Sequence, residues 1–195
     1  MRDKLILVVD LDGTLISTTT AKRIYQEAYF EAVKEFEKNG GRIPDELKNH
    51  SYENYRRLTK MYSDFNEISK MAYEKVLEKY LKSIREREEN NARNLYILLK
   101  SEYNPDDIYI LTANPCGRRI VNMLLPEIVS EKIIIVDGSD YINEKGKVLR
   151  ELKSYGRVLY IADRDELDAE VARIAEVDYI NVNLAIKSIN YKNHI

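Results

Sequence analysis

Five short apolar runs constrain this chain most: residues Leu5–Val9, then 108–111, 133–136, 158–162 and 179–182. Each is continuous rather than alternating, as a strand buried on both faces requires, because successive side chains point to opposite sides of a sheet. Between the later runs, residues 116–125, 147–155 and 165–176 are helix-like in length and pattern. Strands alternating with such helices imply an α/β fold: a Rossmann-like parallel sheet in three α/β/α layers, joined by right-handed crossovers. Ligands of such sheets bind beyond the carboxyl ends of the strands. Chemistry is therefore expected in the residues that directly follow the runs.

Residues 17–103 break this rhythm and read as helices. Ala21, Ile24, Ala28, Ala32 and Phe36 recur at steps of three and four, and Asn39-Gly40-Gly41 ends the pattern. Ile68, Ala72, Val76, Tyr80 and Ile84 repeat the spacing. The polar stretch 85–94 is expected to be either an exposed continuation of that helix or a loop. The division that follows is a core of residues 1–16 plus 104–195, with an inserted α-helical domain over 17–103.

Charge narrows the partners. The 31 basic and 33 acidic residues leave a net charge of −2, without the basic excess that general binding to a phosphate backbone demands. Nucleic acid is not an expected partner. The longest of these apolar runs fall far short of the roughly 20 residues that cross a bilayer, so no membrane partner is expected either. The start of the chain lacks the apolar stretch of a secretory signal, and the single Cys116 cannot form an internal disulfide. A cytoplasmic location is the expectation.

Several chemistries are disfavoured by spacing. The seven glycines form neither a dinucleotide fingerprint nor a phosphate-binding Walker loop. His50, read as lying in a helical stretch, and His194 have no metalloprotease or triad context. Cys116 follows a strand and sits where a helix start lowers a thiol pKa, yet a cysteine phosphatase loop needs Arg six positions on, where this chain has Asn122. A buried thiol is the plainer reading.

Asp10-Leu11-Asp12-Gly13-Thr14 closes the first run. Two carboxylates two residues apart, leaving a strand, can be steered to one point while Gly13 lets the backbone turn. One can attack phosphorus and the other can protonate the leaving oxygen, provided a cation offsets their repulsion; Mg²⁺ suits all-oxygen surroundings. An Asp-Gly turn with two solvated acids is the bland alternative.

This segment resembles the first motif, DxDGT, of the haloacid dehalogenase superfamily. The resemblance implies Asp10 as nucleophile and Asp12 as general acid and base, and three further motifs have candidates. Ile110-Leu111-Thr112-Ala113-Asn114 is similar to the second, in which Thr112, Ala113 and Asn114 would hold phosphate; capping of the next helix by Thr112 is the plainer alternative, compatible with that role. The third is a lone lysine, assigned to Lys147 with Lys145 as the substitute. Asp163 and Asp168 resemble the fourth, and with Asp10 and Asp12 would bind the metal. Asp165 and Glu166 fit a helix N-terminus better. Ala162 stands where the family usually has Gly. The 17–103 insertion falls where the family places a helical cap that closes over the site.

The expected function is a Mg²⁺-dependent phosphomonoester hydrolase acting on a small phosphorylated metabolite through a phospho-Asp10 intermediate. A phosphomutase, a nucleic-acid end phosphatase and a non-catalytic phosphate-binding module are the alternatives. Nine of the 15 tyrosines lie in the insertion; most are expected to pack it, with Arg23, Arg56 and Arg57 available for an anionic or sugar-like ligand.

Overall fold

The structure, a computed structural model, describes the backbone of residues 4–192 and the side chains of residues 4–189; His194 lies outside that span. Strands β1 (Leu5–Val9), β2 (Asp107–Thr112), β3 (Ile133–Ile135), β4 (Arg157–Ala162) and β5 (Asp178–Asn181) form one parallel sheet in the order β3-β2-β1-β4-β5. The five apolar runs become these strands to within one or two residues. The chain leaves β1 towards β2 on one side and later returns to place β4 on the other. The carboxyl ends of β1 and β4 therefore flank the point where strand order reverses, the place where such sheets open a crevice.

Burial on both faces explains the continuous runs. Leu7 and Val9 point into one apolar cluster with Ile110 and Ile161, while Ile6 and Val8 point into another with Val158 and Tyr160. Helices α5 (Tyr141–Lys153) and α6 (Asp165–Ala175) cover the second face. On the first lie α4 (Gly117–Leu124) and α7 (Val182–Lys192), joined by parts of α1 (Thr18–Lys38) and α3 (Phe65–Tyr103). The short α2 (Tyr52–Met61) packs with α1 and the start of α3 around Phe36, Leu58 and Phe65 in a smaller core of its own. No helix of the described residues is long and apolar enough to cross a membrane.

Two elements depart from the sequence expectation. Residues 85–94 are helical, so α3 runs unbroken for 39 residues, about 58 Å at 1.5 Å per residue. Ile84, Glu88, Ala92, Leu95 and Leu99 form its buried stripe, at the three- and four-residue steps of one helical face. Asn104, left-handed at φ 41°, and Pro105 then end it. Helix α5 begins at Tyr141, six residues before the expected Lys147. Gly146 lies inside it rather than before it; a Cβ there would come within 3.1 Å of Ile174 on α6, so the glycine permits close helix packing.

Candidate active site

The chain leaves β1 in a tight loop. Leu11 carbonyl accepts the Leu15 and Ile16 N–H groups, each at 3.0 Å, and the Gly13 N–H donates to Ile16 carbonyl at 2.8 Å. Gly13 has φ +85°, and a Cβ on it would stand 2.1 Å from Asp163 Oδ2. Only glycine lets the β1 loop turn this way while the β4 carboxylate lies against it.

Asp10 is 2% exposed, and its Oδ1 accepts a 2.7 Å hydrogen bond from Lys145 Nζ. Lys145 is itself 1% exposed, donates to the Tyr160 hydroxyl at 2.9 Å and lies 3.7 Å from Asp168 Oδ1. Tyr160 hydroxyl donates in turn to Asp168 Oδ1 at 2.9 Å, and the Arg164 N–H donates to Asp168 Oδ2 at 3.2 Å. Burial raises the Asp10 pKa and the Asp168 charge adds to the rise, with Lys145 opposing both. Burial also lifts the Tyr160 phenol well above its usual value, which keeps it a donor.

The lysine here is Lys145, which corrects the assignment to Lys147. Tyr141, Lys145 and Leu149 sit at four-residue steps on the buried face of α5. Two residues further, about 200° around a helix of 3.6 residues per turn, Lys147 points to solvent and pairs with Glu144 at 2.5 Å. Starting the helix too late hid that phase.

Asp163 leaves β4 opposite Asp10. Its Oδ1 is buried with no hydrogen-bond partner, and Oδ2 accepts at 3.4 Å from the Thr18 hydroxyl. Burial and the Asp10 charge push its pKa up to about 6. One carboxylate oxygen from each of Asp10, Asp163 and Asp168 lies within 4.8 Å of the others. An all-oxygen donor set with one orphaned oxygen fits a hard divalent cation. The Asp12 side chain is not part of that group.

Asp12 instead faces the end of β2. Asn114 Nδ2 donates to its Oδ1 at 3.0 Å, and the Thr112 and Tyr25 hydroxyls reach its Oδ2 at 3.3 and 3.4 Å. Asn114 is fixed by donating also to the Tyr73 hydroxyl at 2.7 Å, while its own Oδ1 accepts the Cys116 N–H. Burial and Asp10 push the Asp12 pKa up to about 6, against the bonds from Asn114 and Thr112. Thr112 and Asn114 thus converge on Asp12. Thr112 Oγ1 also accepts the Asn114 N–H at 3.0 Å, closing a local turn.

One cavity of about 600 Å³ is bordered on the sheet side by Asp10, Asp12, Thr112, Ala113, Lys145 and Asp163, whereas Asp168, Tyr160 and Asn114 are buried and not part of its wall. Tyrosines of α1, α2, α3 and α5 line much of the rest, with His50, Lys22, Lys70 and Asp137. His50 lies in the loop before α2, not in a helix. Arg23, Arg56 and Arg57 do not line the cavity, whereas Arg164 does. Cys116 is buried, and burial pushes its thiol up to about 11, opposite to the helix-start expectation.

Sequence reasoning missed Tyr160, Arg164 and Glu88. Tyr160 reads as one more apolar strand residue, and nothing in the run marks its hydroxyl. Glu88 sits in the polar stretch of α3, yet it is 4% exposed and accepts from Ser17 N–H, Ser17 hydroxyl and Thr20 hydroxyl at 3.1, 2.8 and 2.5 Å. The buried stripe 84, 88, 92, 95, 99 was the available signal. Compared with models of known protein families and with curated proteins, the sequence matches none.

Proposed function

We propose that the chain is a Mg²⁺-dependent phosphomonoester hydrolase of the haloacid dehalogenase type, acting on a small phosphorylated metabolite in the cytoplasm, with α1–α3 as its helical cap. The observation that carries this reading is the buried Lys145 ammonium, held 2.7 Å from Asp10 at the base of a cavity that Asp12 also lines. A buried cation beside a buried strand-end carboxylate is costly to maintain. It has a use where a further anion must approach that carboxylate.

Asp10, Asp163 and Asp168 would hold Mg²⁺, which when bound supplies positive charge against the phosphate and the carboxylates. Lys145 engages Oδ1 of Asp10, so Oδ2 is assigned the attack on phosphorus. The ester P–O bond breaks, the proton of Asp12 passes to the leaving oxygen, and the products are an alcohol and phospho-Asp10. Asp12, now a carboxylate, takes a proton from a water whose oxygen attacks phosphorus. The bond to Asp10 breaks, inorganic phosphate leaves, and Asp12 is again protonated. A pKa pushed up to about 6 suits a group that must both give and take a proton near neutrality.

Phosphate release with Mg²⁺ tests the reading. Asp10→Asn should lower turnover at least a thousandfold, and acid-quenched wild type should carry one phosphoryl group in its mass that Asp10→Asn lacks. Release by both proteins at equal rates, or by neither from a broad panel of phosphorylated metabolites, would overturn it.

A further inference from the structure

The cavity wall beside Asp12 differs in kind from the acidic floor. Tyr25 reaches Asp12 with its hydroxyl and stacks its ring on His50, centroids 5.9 Å apart and planes 19° apart. Tyr73 meets Tyr25 tilted by 54° at 4.9 Å, and Tyr29 meets His50 edge-on at 5.4 Å. These rings are fixed before any ligand arrives: the Tyr29 hydroxyl donates to Leu47 carbonyl at 2.6 Å, and Tyr73 is held by Asn114. The wall therefore starts at the proposed general acid and runs away from it. The group that Asp12 protonates is the leaving alcohol, so the body of that alcohol lies along these rings.

Charge on this wall is sparse. Lys70 is neutralised by Glu67 at 2.8 Å and Asp137 at 3.5 Å, Arg164 lies 3.8 Å from Asp168 and over the Tyr141 ring, and Lys22 is exposed. His50 makes no hydrogen bond among the described residues, and it lines the cavity. Burial and Lys22 lower its pKa, so near neutrality the ring offers one donor and one acceptor without charge. A second phosphate or a carboxylate finds no free buried cation here. A bare polyol finds few of the amides and carboxylates that would bind its hydroxyls: Asp137 offers a carboxylate, Ser69 a hydroxyl, and the Tyr52 and Tyr141 hydroxyls are buried without hydrogen-bond partners among the described residues. Flat rings stack on tyrosine and imidazole, and about 600 Å³ falls within the range of sites for drug-sized ligands.

Resting on the hydrolase reading, we propose that the substrate is the monophosphate ester of a flat, uncharged aromatic or heteroaromatic body. That body lies along Tyr25 and His50 and extends towards Tyr29. The ring is joined either directly to the ester oxygen, as in an aryl phosphate, or through a sugar, as in a nucleoside monophosphate.

Calorimetry on metal-free wild type with adenosine and with 4-nitrophenol tests the wall without hydrolysis, since neither ligand carries phosphate. Saturable binding of at least one is expected, weakened three- to tenfold in His50→Leu, about what one ring contact contributes. With Mg²⁺, kcat/KM for adenosine 5′-monophosphate or 4-nitrophenyl phosphate should exceed that for glycerol phosphate at least thirtyfold. That ratio should fall three- to tenfold in His50→Leu and recover for the aryl ester in His50→Phe. Which ester is preferred identifies how the ring is attached. Failure of both ring compounds to bind, or glycerol phosphate turning over as fast as the ring esters, overturns the proposal. Ring binding lost in His50→Leu, with no phosphate released from any ester, overturns the hydrolase reading and leaves the aromatic wall standing.

Discussion

Replacing Lys145 and Lys147 separately by Met isolates the buried ammonium, because the two side chains have similar length and lie two residues apart on one helix. Lys145 and Asp10 side chains are 2% and 3% exposed at 2.7 Å, with Asp168 at 3.7 Å. Lys145→Met leaves two buried carboxylates facing each other without their cation, and breaking such a pair costs about 3–5 kcal/mol. For a chain of this size each kcal/mol shifts Tm by roughly 2–4 °C. Thermal unfolding in EDTA should therefore drop by about 6–20 °C in Lys145→Met. Lys147 is 68% exposed and its partner Glu144 36%, so Lys147→Met should stay within about 0.5 kcal/mol. Combining Lys145→Met with Asp10→Asn removes both charges and should restore part of the loss, a coupling of about 0.5–3 kcal/mol in a double-mutant cycle. Phosphate release should fall by at least a hundredfold in Lys145→Met only. Equal destabilisation by the two single variants, or strict additivity in the cycle, would refute the idea that Lys145 is held in place by the carboxylates.

Three further outcomes follow from the same geometry. Gly13→Ala forces a side chain into φ +85° and against Asp163; a loss of about 2 kcal/mol or more in urea unfolding is expected, with Mg²⁺ affinity reduced at least tenfold by calorimetry, and wild-type affinity would contradict the contact. Glu88→Ala strands the three donors from Ser17 and Thr20 and should cost about 3 kcal/mol, whereas Glu88→Gln keeps acceptor oxygen and should recover at least half; identical losses would show that packing alone matters. Cys116 has its pKa raised to about 11, so its thiolate is scarce below that value and grows tenfold per pH unit towards it. Native protein at pH 8 should react with iodoacetamide about a hundredfold more slowly than urea-unfolded protein, and matching rates would refute the burial.

What could be read from the chain was what depends on sheet geometry. A strand buried on two faces announces itself as an apolar run, and its carboxyl end follows from where the run stops. Asp10, Thr112 and Asp163 were therefore locatable, because register places the ends of β1, β2 and β4 side by side. Lys145 was named only as the substitute for Lys147, because a helix delivers a side chain by phase, and phase requires the helix start. Tyr141 at the head of α5 sets it, six residues before the expected start at Lys147. Asp12 illustrates a different limit. Its position was legible, but its turn towards Asn114 and Thr112 comes from side-chain hydrogen bonds between residues about a hundred positions apart.

Helix α3 was hardest to read because its middle is polar on the outside, and that continuity decides how the cavity is built. Leu95 and Leu99 share an apolar cluster with Leu7 and Val9 of β1, while Tyr73, two dozen residues earlier on the same helix, bonds to Asn114 beyond β2. Ile84, Glu88 and Ala92 are buried between them, so this stretch of α3 is not a free connector. The other connection, at Ser17, is anchored to α3 through Glu88. Movement of α1 and the start of α3 away from the sheet would have to break the buried stripe of α3 and strand the Ser17 and Thr20 donors together, several kcal/mol at once. Thus the aromatic wall is positioned by the same packing that stabilises the fold, and substitutions along residues 84–99 should alter ligand affinity and stability in parallel rather than independently.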